Sequence, residues 1–325
     1  MNGAAGMRAR SVLIAGPTAG GKSRLALELA RRHGGVVINA DAMQVYRELR
    51  ILTARPDSGE EALAPHRLYG FVGARDAYSA GLWRAHAAGE IARAHAAGKV
   101  AVVVGGTGLY FESLLKGLAA IPDVAPEVRA KWRKIASSEG AGEIRQHLES
   151  ADPVMAARIA RGDRQRAVRA LEVLESTGRS LAWWQERDGS AGAGPAGACL
   201  RLVVAPERAI LHERIDARAG RMIEAGALDE VRVLLSIVPG GDRPVSKAIG
   251  VRELADVLDG ACDLERALDA MRAATRRYAK RQLTWARRRM ADWHWPGDVR
   301  DARVLAEEFL SGAQRIIRPE RSEDR

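Results

Sequence analysis

The feature that most constrains the fold is the stretch GPTAGGKS at residues 16–23, which joins an apolar run to a helix-like segment. It fits the pattern G-x-x-x-x-G-K-[ST], a glycine-rich loop between a β-strand and a helix. Backbone N–H groups of such a loop bind linked phosphates, since they lie at the positive end of the helix dipole. We expect Lys22 to reach a phosphate oxygen and the Ser23 hydroxyl to ligate Mg²⁺.

The pattern of apolar residues predicts a parallel sheet around this loop. Runs rich in β-branched residues at 11–15, 35–39 and 100–104 are typical of buried parallel strands, and a fourth run follows at 200–205. Helical segments at 23–33 and 81–97 separate the first strands. Such alternation is characteristic of a doubly wound α/β sheet.

A long segment between the third and fourth predicted strands has a different character. Residues 124–187 contain no strand pattern and are interpreted as several helices, and a Gly/Ala/Pro-rich loop follows at 188–198. We therefore predict a P-loop-type α/β fold with an inserted all-helical domain. Residues 1–123 and 198–325 would form the catalytic core, and residues 124–197 the insertion.

The charge of the chain suggests a polyanionic partner. Its formal net charge is +10, and its 51 basic residues comprise 44 arginines and seven lysines. Arginine suits phosphate recognition, although a compositional bias of the genome would raise the same count. Only the clustering of the arginines can therefore carry an argument.

One such cluster lies at residues 271–290, which have helical spacing, eight basic residues and no acidic one. Arg276, Arg277, Lys280 and Arg281 have no carboxylate four residues away. A merely solvated face is the ordinary explanation of a charge run, but the missing partners favour a phosphate-binding stripe.

Several other classes of protein are disfavoured. Cys199 and Cys262 lack the spacing of a zinc site and are expected to be reduced thiols. No run of 18 apolar residues occurs, so we expect a cytoplasmic protein without membrane contact. A monomer is the default expectation.

The acidic residue that an NTPase would need is not where it usually stands. The strand at 100–104 ends in Gly105, Gly106 and Thr107, whereas Asp41 follows the strand at 35–39. A carboxylate at the carboxyl end of a parallel strand can ligate a metal or accept a proton from a nucleophile. The alternative for Asp41 is a helix N-cap.

The ordered set of motifs resembles the bacterial tRNA dimethylallyltransferases, also called tRNA isopentenyltransferases. It comprises GPTAGGKS, ADAMQVYREL, LTARP, PHRL, AYSAGLW, VVVGGTGLY, RQRAVRALEV, KAIGVREL and TRRYAKRQLTWARR, between residues 12 and 295. The resemblance implies transfer of a dimethylallyl group from dimethylallyl diphosphate to the exocyclic amine of the adenosine 3′ to the anticodon in tRNA, with release of diphosphate. Mg²⁺ would assist, and the partner would be the anticodon stem-loop.

The resemblance also implies roles for particular residues. Asp41 would be the general base, and Thr107 would contact the same amine. The diphosphate would be bound by Gly16, Thr18, Ala19, Gly20, Gly21, Lys22 and Ser23, and by at least one of Arg214, Arg218 and Arg221, whose one-turn spacing does not choose among them.

The expected tRNA contacts form four groups. They are Asp41, Ala42, Met43 and Gln44; Arg129; Gln165, Arg166, Ala167, Val168 and Arg169; and Lys280, Arg281, Gln282, Thr284 and Trp285. Arg166 and Arg169 suit phosphates and Gln165 a base edge, and the inserted helices would carry all three. Surface ion pairs with Glu172 or Glu175 are the alternative for the two arginines.

Three other functions remain open at this point. A small-molecule or nucleoside kinase would bind ATP in the loop and use Asp41 on a hydroxyl acceptor, but it needs no basic stripe. An isopentenyltransferase acting on free adenine nucleotides would not need the helical insertion. A non-catalytic RNA-binding module would not need Lys22, Ser23, Asp41 and Thr107 together.

Overall fold

A central parallel sheet organises the chain. The structure is a computed structural model that describes residues 9–187, 194–240 and 243–312. Its strands are β1 (Arg10–Ala15), β2 (Val36–Asn39), β3 (His66–Arg67), β4 (Ala101–Gly105) and β5 (Ala198–Val203). They pair in the order β3-β2-β4-β1-β5, and every pairing is parallel.

Helices connect the strands and continue beyond them. They are α1 (Lys22–Arg32), α2 (Ser58–Leu63), α3 (Ala80–Ala96), α4 (Gly108–Lys116), α5 (Pro126–Ser138), α6 (Ala141–Ala151), α7 (Pro153–Arg158), α8 (Arg164–Thr177), α9 (Leu181–Glu186), α10 (Arg208–Glu224), α11 (Ala227–Ile237), α12 (Val251–Leu258), α13 (Leu264–Arg289) and α14 (Val299–Ser311), with a 3₁₀ turn at Pro244–Lys247. The predicted P-loop α/β class is confirmed.

The sheet is buried on both faces, as a doubly wound fold requires. In β1, Leu13 faces a cluster that includes Trp83 of α3 and Phe111 of α4. The neighbouring Val12 and Ile14 face the opposite cluster, which includes residues of α1 and α14. This alternation follows from the two-residue period of a strand, and it explains why β1 reads as a continuous apolar run.

The chain divides into two compact units, with boundaries after Leu115 and before Gly194. The second unit holds α5–α9 and has a core of its own, which includes Trp132, Ile144 and Leu148. It spans 116–193, whereas the helical domain predicted from the sequence begins at 124 and ends at 197. The Gly/Ala/Pro-rich loop predicted at 188–198 lies mostly outside the described residues.

The helices of the first unit that follow β5 pack on one another. The 26-residue α13 begins at the N-cap Asp263 and packs against α10 and α12. Leu211 and Ile215 of α10 meet Ala279 of α13 in a small buried cluster. Among the described residues, none of the helices combines the length and the apolar character that crossing a bilayer requires.

Two backbone segments, one at the end of β4 and one after β2, approach each other closely. A Cβ on Gly105 would lie 2.1 Å from the carbonyl carbon and oxygen of Ala40, which follows β2. Backbone atoms there cannot move aside without breaking the sheet, so the position requires glycine.

We expect Gly105→Ala to lower the free energy of unfolding by about 3 kcal/mol because of this overlap. Gly220→Ala is the matched control, since Gly220 lies inside α10 with no atom near its missing Cβ. The control should stabilise the protein by about 0.5–1 kcal/mol through helix propensity. Urea denaturation of the two variants tests this, and equal midpoints would contradict the overlap.

Candidate active site

The site forms where three adjacent parallel strands end. Because β4 lies between β1 and β2, the loops that follow these strands meet at one edge of the sheet. These three loops are the glycine-rich loop at 16–21, the segment that contains Asp41, and the turn that contains Thr107. Sequence positions far apart are thereby brought around one cavity of about 770 Å³.

The loop before α1 has a backbone geometry that is suited to an anion. Gly16 has φ +146°, and a Cβ there would lie 2.2 Å from the carbonyl oxygen of Val204. In the part of the chain that the structure describes, the N–H groups of residues 21–24 have no acceptor. Free N–H groups at the start of a helix bind phosphate oxygens.

Two amides that the sequence assigned to the phosphates are already in use. The N–H of Thr18 donates to Oε1 of Gln282 at 2.8 Å, and the N–H of Gly20 donates to the carbonyl oxygen of Pro17 at 3.1 Å. The N–H groups of Thr18 and Gly20 are therefore not free to bind a phosphate in this conformation of the loop.

Lys22 is the buried cation of the site, with a relative exposure of 8%. Its Nζ donates to the carbonyl oxygen of Pro17 at 2.5 Å. Burial lowers the pKa of Lys22 to about 8; Asp41 acts against this shift, and Arg218 adds to it. A phosphate oxygen beside Nζ would stabilise the charged form.

The three candidate arginines of α10 all line the cavity. Arg218 stands apart because it is half-buried and its Nη1 donates to Oγ1 of Thr18 at 3.2 Å, whereas Arg214 and Arg221 are exposed. Burial lowers the pKa of Arg218, and Asp41 opposes that change. Of the three arginines, the geometry therefore favours Arg218 as the one that faces the diphosphate, a choice that their spacing in the sequence could not make.

A further cationic wall was not predicted from the sequence. Arg50 and Arg55 line the same cavity, and Oε1 of Glu230 accepts hydrogen bonds from the N–H groups of Arg50 (2.6 Å) and Ile51 (2.7 Å). Its Oε2 accepts from the N–H of Leu52 at 2.9 Å. Glu230 lies on α11, far along the chain, so no local signal in the sequence points to it.

Asp41 is held by its neighbours with one oxygen left over. Its N–H donates to Oδ1 of Asn39 at 2.8 Å, and its Oδ1 accepts from the N–H of Met43 at 2.9 Å. Within the described residues Oδ2 has no hydrogen-bond partner. Asp41 caps no helix, since the next helix is α2 and its N-cap is Asp57.

Thr107 is fixed to the segment that carries Asp41. Its Oγ1 accepts from the N–H of Ala42 at 2.9 Å, and its N–H donates to the carbonyl oxygen of Ala40 at 3.1 Å. The hydroxyl keeps its own proton and a second lone pair for another partner. The two predicted catalytic residues are thus joined through Ala42.

Two smaller cavities share lining residues with the first. One of about 260 Å³ shares Asp41 and Arg218 with the large cavity and has an apolar wall. That wall comprises Met43, Leu52, Ile215, Ala219, Met222 and Met271. The third, of about 310 Å³, contains Thr107 and Trp285 and shares Ala42 with the second.

The basic stripe of α13 is present but smaller than predicted. Arg276 is paired with Asp216 of α10 at 2.6 and 2.5 Å, a partner that spacing within α13 could not show. In the described chain Arg277, Lys280 and Arg281 form no ion pair, and all three are exposed. Arg281 also lies over the ring of Tyr278, 5.6 Å from its centroid.

Helix α13 turns other predicted residues inward. Gln282 is 9% exposed, and Trp285 packs so closely on Gly108 that a Cβ there would lie 2.1 Å from its ring. Lys280 and Thr284 are exposed. The predicted RNA-facing group therefore contains buried as well as exposed side chains.

The predicted contacts in the helical unit also differ in exposure. Gln165 and Arg166 are exposed at the start of α8, whereas Ala167 is buried in the core of the unit, with Val168 packed against it. A side-chain contact by Ala167 with RNA does not agree with this burial. Arg129 on α5 is half-buried.

The ion-pair alternative for these arginines is partly realised. Arg166 lies 3.3 Å from Asp163, and Arg169 lies 3.4 Å from Glu172, whereas Glu175 binds Lys131. The largely exposed Arg166–Asp163 pair contributes little, typically about 0–1 kcal/mol, and leaves Arg166 able to exchange a carboxylate for a phosphate. Glu172 is buried, so a phosphate that displaced it from Arg169 would leave a buried carboxylate without its partner.

The donor set fits a magnesium ion that is held together with substrate phosphates. Ser23 and Asp41 line the same cavity, and the Ser23 side chain is exposed. Across the described ranges there is no cluster of three or more His, Cys, Asp or Glu that could hold a metal. Mg²⁺ commonly binds through one or two protein oxygens, substrate phosphates and waters, so a protein cage is not needed.

Comparison with known proteins agrees with this geometry. A family model described as IPP transferase matches residues 44–289. A tRNA dimethylallyltransferase of Methylobacterium nodulans is 52% identical over 309 residues, which cover 94% of this chain and 100% of the relative. One of Rhizobium meliloti is 47% identical over 280 residues, covering 86% and 92%.

Solved structures are also similar. A tRNA isopentenylpyrophosphate transferase of Bacillus halodurans has a TM-score of 0.66 and 31% identity, covering 94% of this chain and 96% of its own. A eukaryotic dimethylallyltransferase acting on tRNA has a TM-score of 0.76 and 27% identity, covering 93% and 80%. The match of the family model over most of the chain, with relatives near half identity, shows that this protein belongs to the IPP transferase family.

Proposed function

We propose that this protein transfers a dimethylallyl group from dimethylallyl diphosphate to the exocyclic amine of the adenosine 3′ to the anticodon in tRNA, releasing diphosphate. The observation that carries the proposal is the position of Asp41. Asp41 lines both the large cationic cavity of about 770 Å³ and the cavity of about 260 Å³ with the apolar wall, and its Oδ2 has no hydrogen-bond partner in the described chain. A base is needed at such a junction, where a nucleophile would meet the carbon that leaves its phosphate.

The large cavity is the proposed diphosphate site. Its lining contains seven cationic side chains and three acidic ones. The free N–H groups after Gly21, together with Lys22 and Arg218, would neutralise the leaving group as charge develops on it. Mg²⁺, bound through Ser23 and the phosphates, would supply further charge neutralisation.

The apolar cavity is the proposed site of the allylic chain. Its methionine, leucine and alanine side chains would exclude water from a developing allylic cation, and Asp41 and Arg218 also line it. In the transfer, the bond between carbon C1 and the diphosphate oxygen breaks and its electron pair leaves with the diphosphate. The amine nitrogen forms the new bond to C1, and its proton passes to Oδ2 of Asp41.

Thr107 would orient the amine. An exocyclic amine is a weak nucleophile because its lone pair is delocalised into the ring. Asp41 can accept a hydrogen bond from one N–H, and the remaining lone pair of the Thr107 hydroxyl can accept from the other. Both interactions hold the lone pair toward the allylic carbon.

The adenosine must leave its stack to reach these groups. We propose that Trp285 and Tyr278, which line the third cavity, meet the extracted base. Arg277, Lys280 and Arg281 would bind neighbouring phosphates. The helical unit would add Arg129, Gln165, Arg166 and Arg169, and we propose a monomer that acts in the cytoplasm.

A kinase is not favoured. Strand β4, which pairs with β1, ends at Gly105 and is followed by Gly106 and Thr107, where many NTPases have the metal-binding aspartate. Family membership points the same way.

The donor assay tests the proposal directly. We expect transfer of label from dimethylallyl diphosphate to an unmodified tRNA anticodon stem-loop in the presence of Mg²⁺, and none from ATP. Omission of the metal should slow transfer strongly, because much of the leaving-group charge is then unbalanced. Label from ATP, or none from the diphosphate, would overturn the proposal.

Asp41→Asn should lower kcat by about two to four orders of magnitude, because the amide cannot accept the proton. The affinity for tRNA should change little, since the amide is isosteric. Asp229→Asn, an exposed change on α11, is the control. Loss of tRNA binding without loss of kcat in the Asp41 variant would make Asp41 a contact residue only.

Lys22→Met should stabilise the protein without ligand at pH 7. The pKa of Lys22 is about 8 in the folded protein, against 10.5 in the unfolded chain. Its charged form therefore lowers the free energy of unfolding, and this penalty has its full size below pH 8. The variant should gain about 3 kcal/mol at pH 7, a difference that narrows as pH rises toward 10.5. Urea denaturation at pH 7 and pH 10 measures this, with exposed Lys99→Met as the control; a gain that does not depend on pH would contradict it.

A further inference from the structure

Gln282 lies between the two loops that carry the proposed chemistry. It belongs to α13, and its side chain is buried between the loop before α1 and the turn after β4. Its Oε1 accepts from the N–H of Thr18 at 2.8 Å, and its Nε2 donates to the carbonyl oxygen of Gly106 at 3.0 Å. One side chain therefore joins both loops to one helix.

The primary amide of Gln282 satisfies both partners at every pH. One partner is a donor and the other an acceptor, so a carboxylate would repel the Gly106 carbonyl and an apolar side chain would leave both groups unpaired. The turn is adapted to this contact, since a Cβ on Gly106 would lie 2.1 Å from Nε2.

The two residues that Gln282 bonds, Thr18 and Gly106, lie next to the proposed diphosphate site and the proposed catalytic residues. Thr18 carries the hydroxyl that Arg218 binds, at the diphosphate end of the site. Gly106 precedes Thr107, whose hydroxyl holds the N–H of Ala42 beside Asp41. The amide of Gln282 therefore connects the loop that contains Thr18 to the turn that holds the Asp41 segment.

We propose that Gln282 is a positioning residue for the transfer step and not an RNA contact. The inference rests on the proposed function and deepens it. Gln282 fixes the diphosphate loop relative to the turn that bears Thr107, while Arg281 next to it on α13 is exposed and free of ion pairs in the described chain. The two adjacent residues thus have different tasks.

The test uses Gln282→Glu, Gln282→Leu and, for comparison, Arg281→Ala. Single-turnover rates are measured at saturating tRNA and dimethylallyl diphosphate from pH 6 to pH 9, relative to wild type at each pH. A separate titration measures tRNA affinity. Thermal melting verifies that each variant is folded.

A carboxylate at position 282 repels the Gly106 carbonyl, whereas the protonated carboxyl can donate to it. Burial and the facing carbonyl oxygen should raise the pKa of the new carboxyl, so we expect Gln282→Glu to be slower by about 10–100-fold at pH 8.5 and to recover in part as pH falls to 6. Gln282→Leu should be slow at every pH. Both should bind tRNA as wild type does, whereas Arg281→Ala should bind it more weakly.

Three outcomes would overturn the inference. The first is weaker tRNA binding by the Gln282 variants with an unchanged single-turnover rate. The second is an equal loss of single-turnover rate in Gln282→Glu and Gln282→Leu at every pH. The third is a single-turnover rate that is unchanged in both variants at every pH. If Gln282→Glu does not fold, the rate and tRNA affinity of Gln282→Leu decide.

Binding of inorganic diphosphate separates this inference from the proposed function. If wild type transfers nothing to tRNA, the proposed function fails. The inference is then judged on whether Gln282→Glu binds inorganic diphosphate more weakly at pH 8.5 than at pH 6, relative to wild type. An affinity ratio that does not change with pH would overturn it.

Discussion

The parallel pairing of β4 between β1 and β2 is the constraint on which the site depends. It aligns Ala15 with Gly105 and Asn39 with Val104, so the three following loops leave the sheet at one edge. The approach of Gly105 to Ala40 draws two of these loops together. With a side chain at that glycine, the turn that bears Thr107 could not hold the segment of Asp41. The catalytic geometry is therefore a property of the sheet.

Charge is distributed unevenly along the cavity, with cations in one region and Asp41 at the border of that region. Lys22 is buried and Arg218 half-buried in the lining of one cavity, and burial imposes a cost on the charge of each, which lowers the pKa of both groups. A polyanion removes that cost, so binding and charge neutralisation are the same event. Asp41 stands at the border of this region with one free oxygen. In the proposed reaction the cationic end would hold the leaving group, and Asp41 at its border would receive the proton.

Local patterns explain what the sequence could predict. The strands β1, β2, β4 and β5 follow from continuous apolar runs, helix α13 follows from the helical spacing of a basic segment, and the loop at 16–23 follows from its glycines. The two-residue β3 has no apolar pattern and was not found. Contacts distant along the chain were also missed, among them Glu230 with Ile51 and Asp216 with Arg276. Spacing within one helix carries no information about a partner on another helix.

The same reasoning separates the two faces of α13. The TRRYAKRQLTW stretch could be predicted as one RNA-facing group, because its residues are close in sequence. In the fold, Gln282 and Trp285 point toward the loops of the sheet, while Lys280 and Arg281 remain exposed. A single rigid helix therefore contacts the reacting loops on one side and presents cations on the other. RNA bound to the exposed cations would be held at a fixed position relative to Asp41, because Gln282 bonds the same helix to the loops around it.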